Sequence, residues 1–202
     1  MTHWRLLDLG CGGGGATRGY QMAGFHVTGV DIAPQPGYVG DAFIETDMLT
    51  VNLDGYDAYH CSAPCQRWAP STPEWARPNW PDLITPMRRR LAATGKPYVL
   101  ENVPRAPLRP DLVLCACQFP GHGRLQRKRI FETFPVLFDL RPRCWHPEPA
   151  ITITTKGCPN RTGNFAESKQ AMGIDWMDQH SLGEAIPPAY TALVGALFLE
   201  CL

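Results

Sequence analysis

The sequence predicts an α/β fold: a doubly wound, mostly parallel sheet with helices on both faces and one small irregular insertion. Three observations predict it. Short apolar runs alternate with helical segments through the first half of the chain, a glycine cluster joins the first run to the first helix, and an aspartate closes the second run. Ligands of such sheets sit at the carboxyl ends of the strands.

Arg5–Leu9 reads as a short buried strand running into the glycine cluster at 10–15, after which residues 16–23 have helical character until Gly24 stops them. Residues 25–30 form a second strand that ends at Asp31. Residues 43–45 lead to Asp47, residues 58–60 make an apolar strand after Asp57, and residues 83–93 form a helix ahead of a strand at 97–100. A further strand is expected at 129–132. From 134 to 182 the periodicity is poor and the composition turn-rich, apart from a β-prone run at 151–155. Residues 187–199 close the chain as an apolar helix opened by Pro187-Pro188. The expected division is a core at 1–133, an irregular module at 134–182 and a segment at 183–202 that completes the core.

A length of 202 residues suits one sizeable hydrophobic core. No stretch stays apolar for the ~20 residues that a membrane-spanning helix requires, and residues 1–5 run into a strand rather than a signal-peptide core. A cytoplasmic protein is expected. The eight cysteines scatter without framework spacing, so reduced thiols are expected, with Cys11, Cys115, Cys117 and Cys201 as small buried apolar side chains.

The formal net charge of zero hides an uneven distribution. Residues 1–87 carry four basic and nine acidic side chains, residues 88–143 twelve and four, and residues 144–202 three and six, for net charges of −5, +8 and −3. A basic block between acidic flanks fits a protein that offers one face to a polyanion. For Arg88-Arg89-Arg90 alone, a solvated helix face is the simpler reading.

The run Asp8-Leu9-Gly10-Cys11-Gly12-Gly13-Gly14-Gly15 follows a strand and opens a helix. Backbone amides there can approach an adenosine-bearing ligand with no Cβ in the way. Asp31, about 20 residues past the loop, stands where an acid accepts hydrogen bonds from both ribose hydroxyls. Asp47 closes the next apolar segment, where a carboxylate can take the adenine amino hydrogens. Pro64-Cys65-Gln66 ends a strand in a proline-stiffened loop, so Cys65 should be exposed at the carboxyl edge of the sheet.

In this order the motifs resemble the DNA cytosine-5 methyltransferases, in a compact layout similar to the bacteriophage-encoded members, and the likeness runs from Asp8 to about residue 199. Residues 8–15 look like the cofactor loop, Asp31 the ribose-binding acid, Pro64-Cys65-Gln66 the catalytic loop and Glu101-Asn102-Val103 the catalytic glutamate motif. Arg127-Lys128-Arg129 matches the paired arginines, and residues 183–188 the last motif. The resemblance implies a Rossmann-like core, S-adenosylmethionine as cofactor, S-adenosylhomocysteine as product, and DNA as partner of a monomer. Implied cofactor contacts are Asp8, Gly10, Cys11, Gly12, Gly14 and Gly15 in the loop, then Asp31 with Ile32 against adenine, Asp47, Met48, Pro64, Glu184 and Ala185. Implied catalytic residues are Cys65, Glu101, Asn102, Arg127 and Arg129, with no metal. The insertion becomes the target-recognition region, with Arg141, Arg143, Lys156 and Arg161 as phosphate contacts.

The residue chemistry points the same way. Cytosine C5 is a poor nucleophile until something adds at C6, and a cysteine thiolate can add there and leave again. Arg127 and Arg129 are expected to favour that thiolate and to hold the pyrimidine O2 or a flanking phosphate. Glu101 is expected to bind N3 and the exocyclic amine. Two other readings use the same residues: a transfer-RNA cytosine-5 methyltransferase and a cofactor-binding regulator without turnover. Cys144, His146 and Cys158 lie close in sequence but lack the usual zinc spacing, so buried thiols and a surface histidine are expected there.

Overall fold

Seven strands form one sheet: β1 (Arg5–Leu9), β2 (His26–Asp31), β3 (Ala42–Glu45), β4 (Ala58–Ser62), β5 (Tyr98–Asn102), β6 (Leu112–Leu114) and β7 (Arg129–Phe134). Their order is β3-β2-β1-β4-β5-β7-β6, parallel throughout except that β7 runs antiparallel to both β5 and β6. The structure is a computed structural model and describes residues 4–122, 124–138, 141, 144–146, 150, 151, 153 and 164–202.

The central strands read as unbroken apolar runs because both of their faces are covered. On β1, Leu6 belongs to one core cluster and Leu7 and Leu9 to the other, and all three are fully buried. Leu6, Val27, Ala58 and Val99 pack beneath helices α1 (Gly15–Met22) and α5 (Pro188–Leu199). Leu7, Leu9, Tyr59 and Leu100 pack beneath α2 (Ile84–Ala93). The sheet is therefore doubly wound, as its alternating elements predict. Among the described residues no helix is long and apolar enough to cross a membrane.

The antiparallel edge strand β6 was not expected from the sequence. Its three residues alternate, with Val113 facing outward and Leu112 and Leu114 buried, and so short a run gives too little periodicity to read. Two short helices, α3 (Phe165–Met172) and α4 (Gln179–Glu184), stand where an irregular module was expected. Each is two turns or so long, too few to show an apolar period. Their end signals are nevertheless in the sequence. The Asn164 side chain accepts from Glu167 N–H at 2.9 Å while the Glu167 carboxylate accepts from Asn164 N–H at 2.8 Å, and Gly173 closes the helix at φ 67°. Asp178 caps α4 through Ser181 N–H at 2.8 Å. Of the β-prone run at 151–155, Ile151 makes an isolated bridge to Leu125; residues 152, 154 and 155 lie outside the described ones.

Helices α1 and α5 meet closely enough that Thr191 Oγ1 donates to the Ala16 carbonyl at 2.8 Å. A Cβ on Gly19 would lie 2.1 Å from the Pro188 carbonyl oxygen. Backbone cannot yield there as a side-chain tip can. Gly19→Val is therefore expected to destabilise the protein by about 3 kcal/mol, the upper end for overpacking. Gly37→Ala, with nothing within 4 Å of the added carbon, should stay within about 0.5 kcal/mol of the parent. Urea unfolding of both variants checks this, and equal midpoints would mean that the helix pair adjusts freely.

Candidate active site

A cleft of about 470 Å³ opens where the strand order reverses, above the carboxyl ends of β1 and β4. The glycine loop forms its floor. Gly10 has φ +76°, and a Cβ on it would lie 2.4 Å from the Ser62 carbonyl oxygen, so the loop lies against the end of β4 only because this residue is glycine. Gly10 and Cys11 N–H both donate to the Val30 carbonyl, at 2.8 and 3.1 Å. Gly12, Gly13 and Gly15 join them in lining the cleft, while Gly14, left-handed at φ 87°, caps α1 outside it. Gly12 N–H donates to one Asp31 carboxylate oxygen at 3.0 Å and Ala33 N–H to the other at 3.1 Å. Each oxygen keeps a lone pair for a further donor. Ile32, 74% exposed, and the pair Asp47 and Met48 complete this end.

At the other end stand Pro64, Cys65, Glu101, Asn102 and Arg129, with Glu184 and Ala185 facing them from the end of α4. Cys65 sits in a tight turn in which its carbonyl accepts from Trp68 N–H and Ala69 N–H, both at 2.8 Å. It is half-buried rather than exposed, and burial lifts its thiol above the ordinary value. Arg129 and Arg127 pull in the opposite direction but do not prevail, so the expectation that the arginines favour the resting thiolate is corrected: desolvation is the larger effect.

Glu101 is 5% exposed, and burial likewise raises its carboxyl above the usual range against the pull of Arg129, Ser62 and Arg127. Arg129 Nε lies 3.0 Å from Glu101 Oε1 as an ion pair, yet its angle leaves that buried oxygen without a hydrogen-bond donor. The Ser62 hydroxyl bonds the carboxyl. Ser62 Oγ is in turn 2.9 Å from His60 Nε2, and His60 Nδ1 is 2.9 Å from the Tyr20 hydroxyl. If Ser62 donates to Glu101, His60 must carry its proton on Nε2 and accept from Tyr20 on Nδ1. Burial pushes His60 down to about 3, so the ring is neutral. The sequence reading missed this chain; its only trace is a polar His60 inside an apolar strand.

Two residues expected at the site, Asp8 and Arg127, act from behind it, while Asn102 lines it. Asp8 is fully buried beneath the loop, where Oδ2 accepts from the Thr17 hydroxyl at 2.6 Å, Oδ1 has no partner, and burial raises the carboxyl to about 7. Arg127 is 5% exposed and donates to the Gly183 carbonyl at 2.8 Å and to the Ala185 carbonyl, with burial lowering it to about 9. It fastens the 183–185 segment and does not line the cleft. Asn102 links the end of β5 to the loop before Cys65, its Nδ2 donating to the Ala63 carbonyl at 2.8 Å. His180, Ser181 and Gln66 also line the cleft; the first two belong to a helix too short to read from the sequence.

Much of the basic block is engaged internally. Arg88 makes two bonds to Glu132 at 2.7 and 2.8 Å, Arg90 donates to the Met48 and Val51 carbonyls, and Arg109 pairs with Asp111 at 2.6 Å. Arg89, Arg105 and Lys128 are exposed. Arg141 donates to the Gln118 carbonyl at 3.2 Å, and its guanidinium lies 4.1 Å from the centre of the Phe119 ring. Arg143, Lys156, Cys158 and Arg161 lie outside the described residues. Cys11 and Cys115 are buried as expected, whereas Cys117 is half-buried and Cys201, just past the end of α5, is exposed; the sulfurs of Cys115 and Cys117 moreover converge with Cys144 and His146.

No protein-family model matches the chain, and no curated protein matches it significantly in sequence. Solved structures do match in fold. A DNA modification methyltransferase encoded within an E. coli prophage matches with a TM-score of 0.65 at 12% identity, over 98% of this chain and 99% of its own. The Entamoeba histolytica methyltransferase matches with a TM-score of 0.68 at 12% identity, over 100% of both chains. The S. pombe Dnmt2 methyltransferase matches with a TM-score of 0.63 at 13% identity, over 99% of both. The chain has the Rossmann-like fold of these methyltransferases.

Asp8 gives this site a pH signature. Its carboxyl holds a proton in the folded protein up to about 7, whereas an unfolded aspartate loses it near ~3.9. Its contribution to stability is thus fully present below ~4 and is lost as the pH rises through 7. Neutral buried His60 acts in the opposite sense, but it is common to parent and variant. The stability of Asp8→Asn relative to the parent should therefore rise between pH 4 and 7, as read from urea midpoints across that range. A flat difference would mean that Asp8 titrates as an ordinary aspartate.

Proposed function

We propose that the protein is an S-adenosylmethionine-dependent DNA cytosine-5 methyltransferase. Residues 1–133 and 183–202 form its cofactor-binding and catalytic core, and residues 134–182 its target-recognition region. The observation that carries this reading is the presence of Cys65 and Glu101 on the walls of one cleft, the glutamate with a buried oxygen that no protein group donates to. Glycine loop, Asp31 and Asp47 occupy the same cleft. The methyltransferase descriptions of the fold neighbours agree with it.

The cofactor end fits S-adenosylmethionine in chemistry. Asp31 has a free lone pair on each oxygen for the two ribose hydroxyls, Asp47 offers a carboxylate to the adenine amino group, and exposed Ile32 offers an apolar face to the ring. When bound, this cofactor supplies an electrophilic methyl group. Glu184 and Ala185, held by Arg127, close the site from the C-terminal side.

The residues of the chain divide the remaining work. A cytosine inside a duplex is out of reach, so the base must be flipped into the cleft at a cost of a few kcal/mol. Glu101, whose carboxyl burial raises above the usual range, serves as the acid that binds N3 and draws electron density from C6. Cys65 adds to C6 as the thiolate, and Arg129 is the cation that most eases that ionisation. Addition turns C5 into the nucleophilic carbon that takes the methyl group. Loss of the C5 proton then expels the Cys65 thiolate and restores the aromatic ring.

Transfer of labelled methyl groups to duplex DNA and to transfer RNA, run side by side, tests the substrate. DNA alone should be labelled; labelling of transfer RNA alone would keep the chemistry and change the substrate. Cys65→Ser should abolish transfer and leave cofactor binding nearly unchanged. Duplexes carrying 5-fluorocytosine should trap the parent covalently, because fluorine at C5 cannot leave as a proton does. An adduct formed through Cys61, or one that survives Cys65→Ser, would contradict the assignment.

Asp31→Ala should weaken S-adenosylmethionine binding by about 1.5–3 kcal/mol, the worth of a hydrogen bond to a charged group, or roughly tenfold or more. Because Asp31 also accepts from Gly12 N–H and Ala33 N–H, Asp31→Asn, which keeps one acceptor oxygen, should fall between the two. Calorimetry reads both, and unchanged affinity would move the ribose contact elsewhere.

A further inference from the structure

Away from the catalytic cleft, three thiols and an imidazole converge. Cys115 directly follows β6 and opens a single 3-10 turn over Ala116–Gln118. Its N–H donates to Gln118 Oε1 at 2.7 Å, which closes the turn and sets Cys115 and Cys117 on one side of it. The stretch Cys144-Trp145-His146 meets them from beyond β7. Cys117 Sγ is 3.2 Å from Cys144 Sγ, Cys144 Sγ is 2.8 Å from His146 Nε2, and Cys115 Sγ is 3.8 Å from that same nitrogen. All four atoms lie within 4.8 Å of one another.

The spacing excludes a covalent link and matches a coordination sphere. A disulfide needs its sulfurs at about 2.03–2.05 Å, well short of the 3.2 Å found. Bond lengths of about 2.3 Å for Zn–S and 2.0–2.1 Å for Zn–N set tetrahedral ligand atoms roughly 3.5–3.8 Å apart, inside the spread seen here. Hydrogen bonding does not account for the cluster, since thiols are weak donors and weak acceptors. The His146 ring points to the same conclusion independently. Its Nδ1 is buried and has no hydrogen-bond partner, so the ring is engaged only at Nε2, among the sulfurs.

We propose that Cys115, Cys117, Cys144 and His146 bind one Zn²⁺ in a closed tetrahedral site that fastens the segment after β7 to the turn after β6. On binding, each of the three thiols releases its proton to solvent and becomes a thiolate, and neutral His146 contributes the Nε2 lone pair. The filled site carries a net charge of −1. Arg141, bonded to the carbonyl of Gln118 next to Cys117, supplies a nearby cation. Four protein ligands leave no position for water or substrate, so the metal is structural rather than catalytic. Its place in the fold gives it work to do. Between β7 and α3 the described residues form no helix or strand beyond the isolated bridge of Ile151 to Leu125, and their buried apolar side chains are Leu137, Ala150 and Ile151. A metal can supply folding energy where the apolar core is this thin.

The test reads metal rather than methyl transfer, and so does not depend on the catalytic proposal. The full chain, purified without a polyhistidine tag, should carry about one zinc per molecule by elemental mass spectrometry. Cys117→Ser and Cys144→Ser should reduce this to below roughly one-tenth, while Cys201→Ser, at an exposed position beyond α5, should leave it unchanged. Should the ligand variants fail to fold, the parent protein still decides the matter. Cobalt exchanged for zinc should show the intense visible bands of tetrahedral thiolate coordination, and a mercurial reagent should release the metal in step with about three thiols. Parent protein without stoichiometric metal, an octahedral cobalt spectrum, or a Cys117–Cys144 disulfide in the folded protein would overturn the proposal.

Discussion

The arrangement of the cleft depends on the reversal of strand order at β1. From there the chain steps one way to β2 and β3 and the other way to β4 and β5, so the loops above β1 and β4 diverge and leave a crevice between them. The residues that matter lie at the upper ends of the parallel strands: the glycine loop after β1, Asp31 on β2, Ser62 and Cys65 at and after β4, and Glu101 on β5. Arg129 is the exception that fits the rule. It opens β7, which runs antiparallel beside β5 with Glu101 opposite Phe131 and Asn102 opposite Ile130, so its beginning lies at the same edge where the parallel strands end.

Beneath that edge the protein buries an unusual set of polar groups. Asp8, His60, Glu101 and Arg127 are each at most 5% exposed, and each such burial costs free energy unless the group finds partners or gives up its charge. His60 does the latter, and burial drives the carboxyls of Asp8 and Glu101 the same way. Arg127 keeps its charge and uses it on backbone carbonyls at 183 and 185, while its own carbonyl accepts from the Tyr190 hydroxyl. Arg127 thus ties the approach to β7 to the distant segment at 183–190, and through Ala185 it shapes the cleft without lining it.

The stretch beyond β7 follows a different logic. It is too poor in apolar side chains to build a second core, and the Cys115, Cys117, Cys144 and His146 cluster stands where such a segment needs an anchor. Turn chemistry on one side and a two-residue step on the other bring the four groups together. A segment held in this way can vary in sequence without loss of its attachment.

The sequence by itself determined the parallel strands of the sheet, the helices α1, α2 and α5, and several members of the cleft, because each is written locally: an apolar run, a glycine cluster, a proline-stiffened cysteine, an acid closing a strand. Asp31 and Cys65 could be named from these signals alone, and Glu101 and Arg129 from the order of motifs that the chain resembles. Only the tertiary structure decided which charges remain available. Arg127 and Asp8 turned inward, Arg88 and Arg90 paired within the core's edge, and the Cys65 thiol rose rather than fell, since burial depends on everything packed around a group and not on its neighbours in sequence. The same holds for the sulfur cluster. Cys117 and Cys144 are 27 residues apart, and the pairing of β6 with β7 that brings them together involves a strand too short to carry a period of its own.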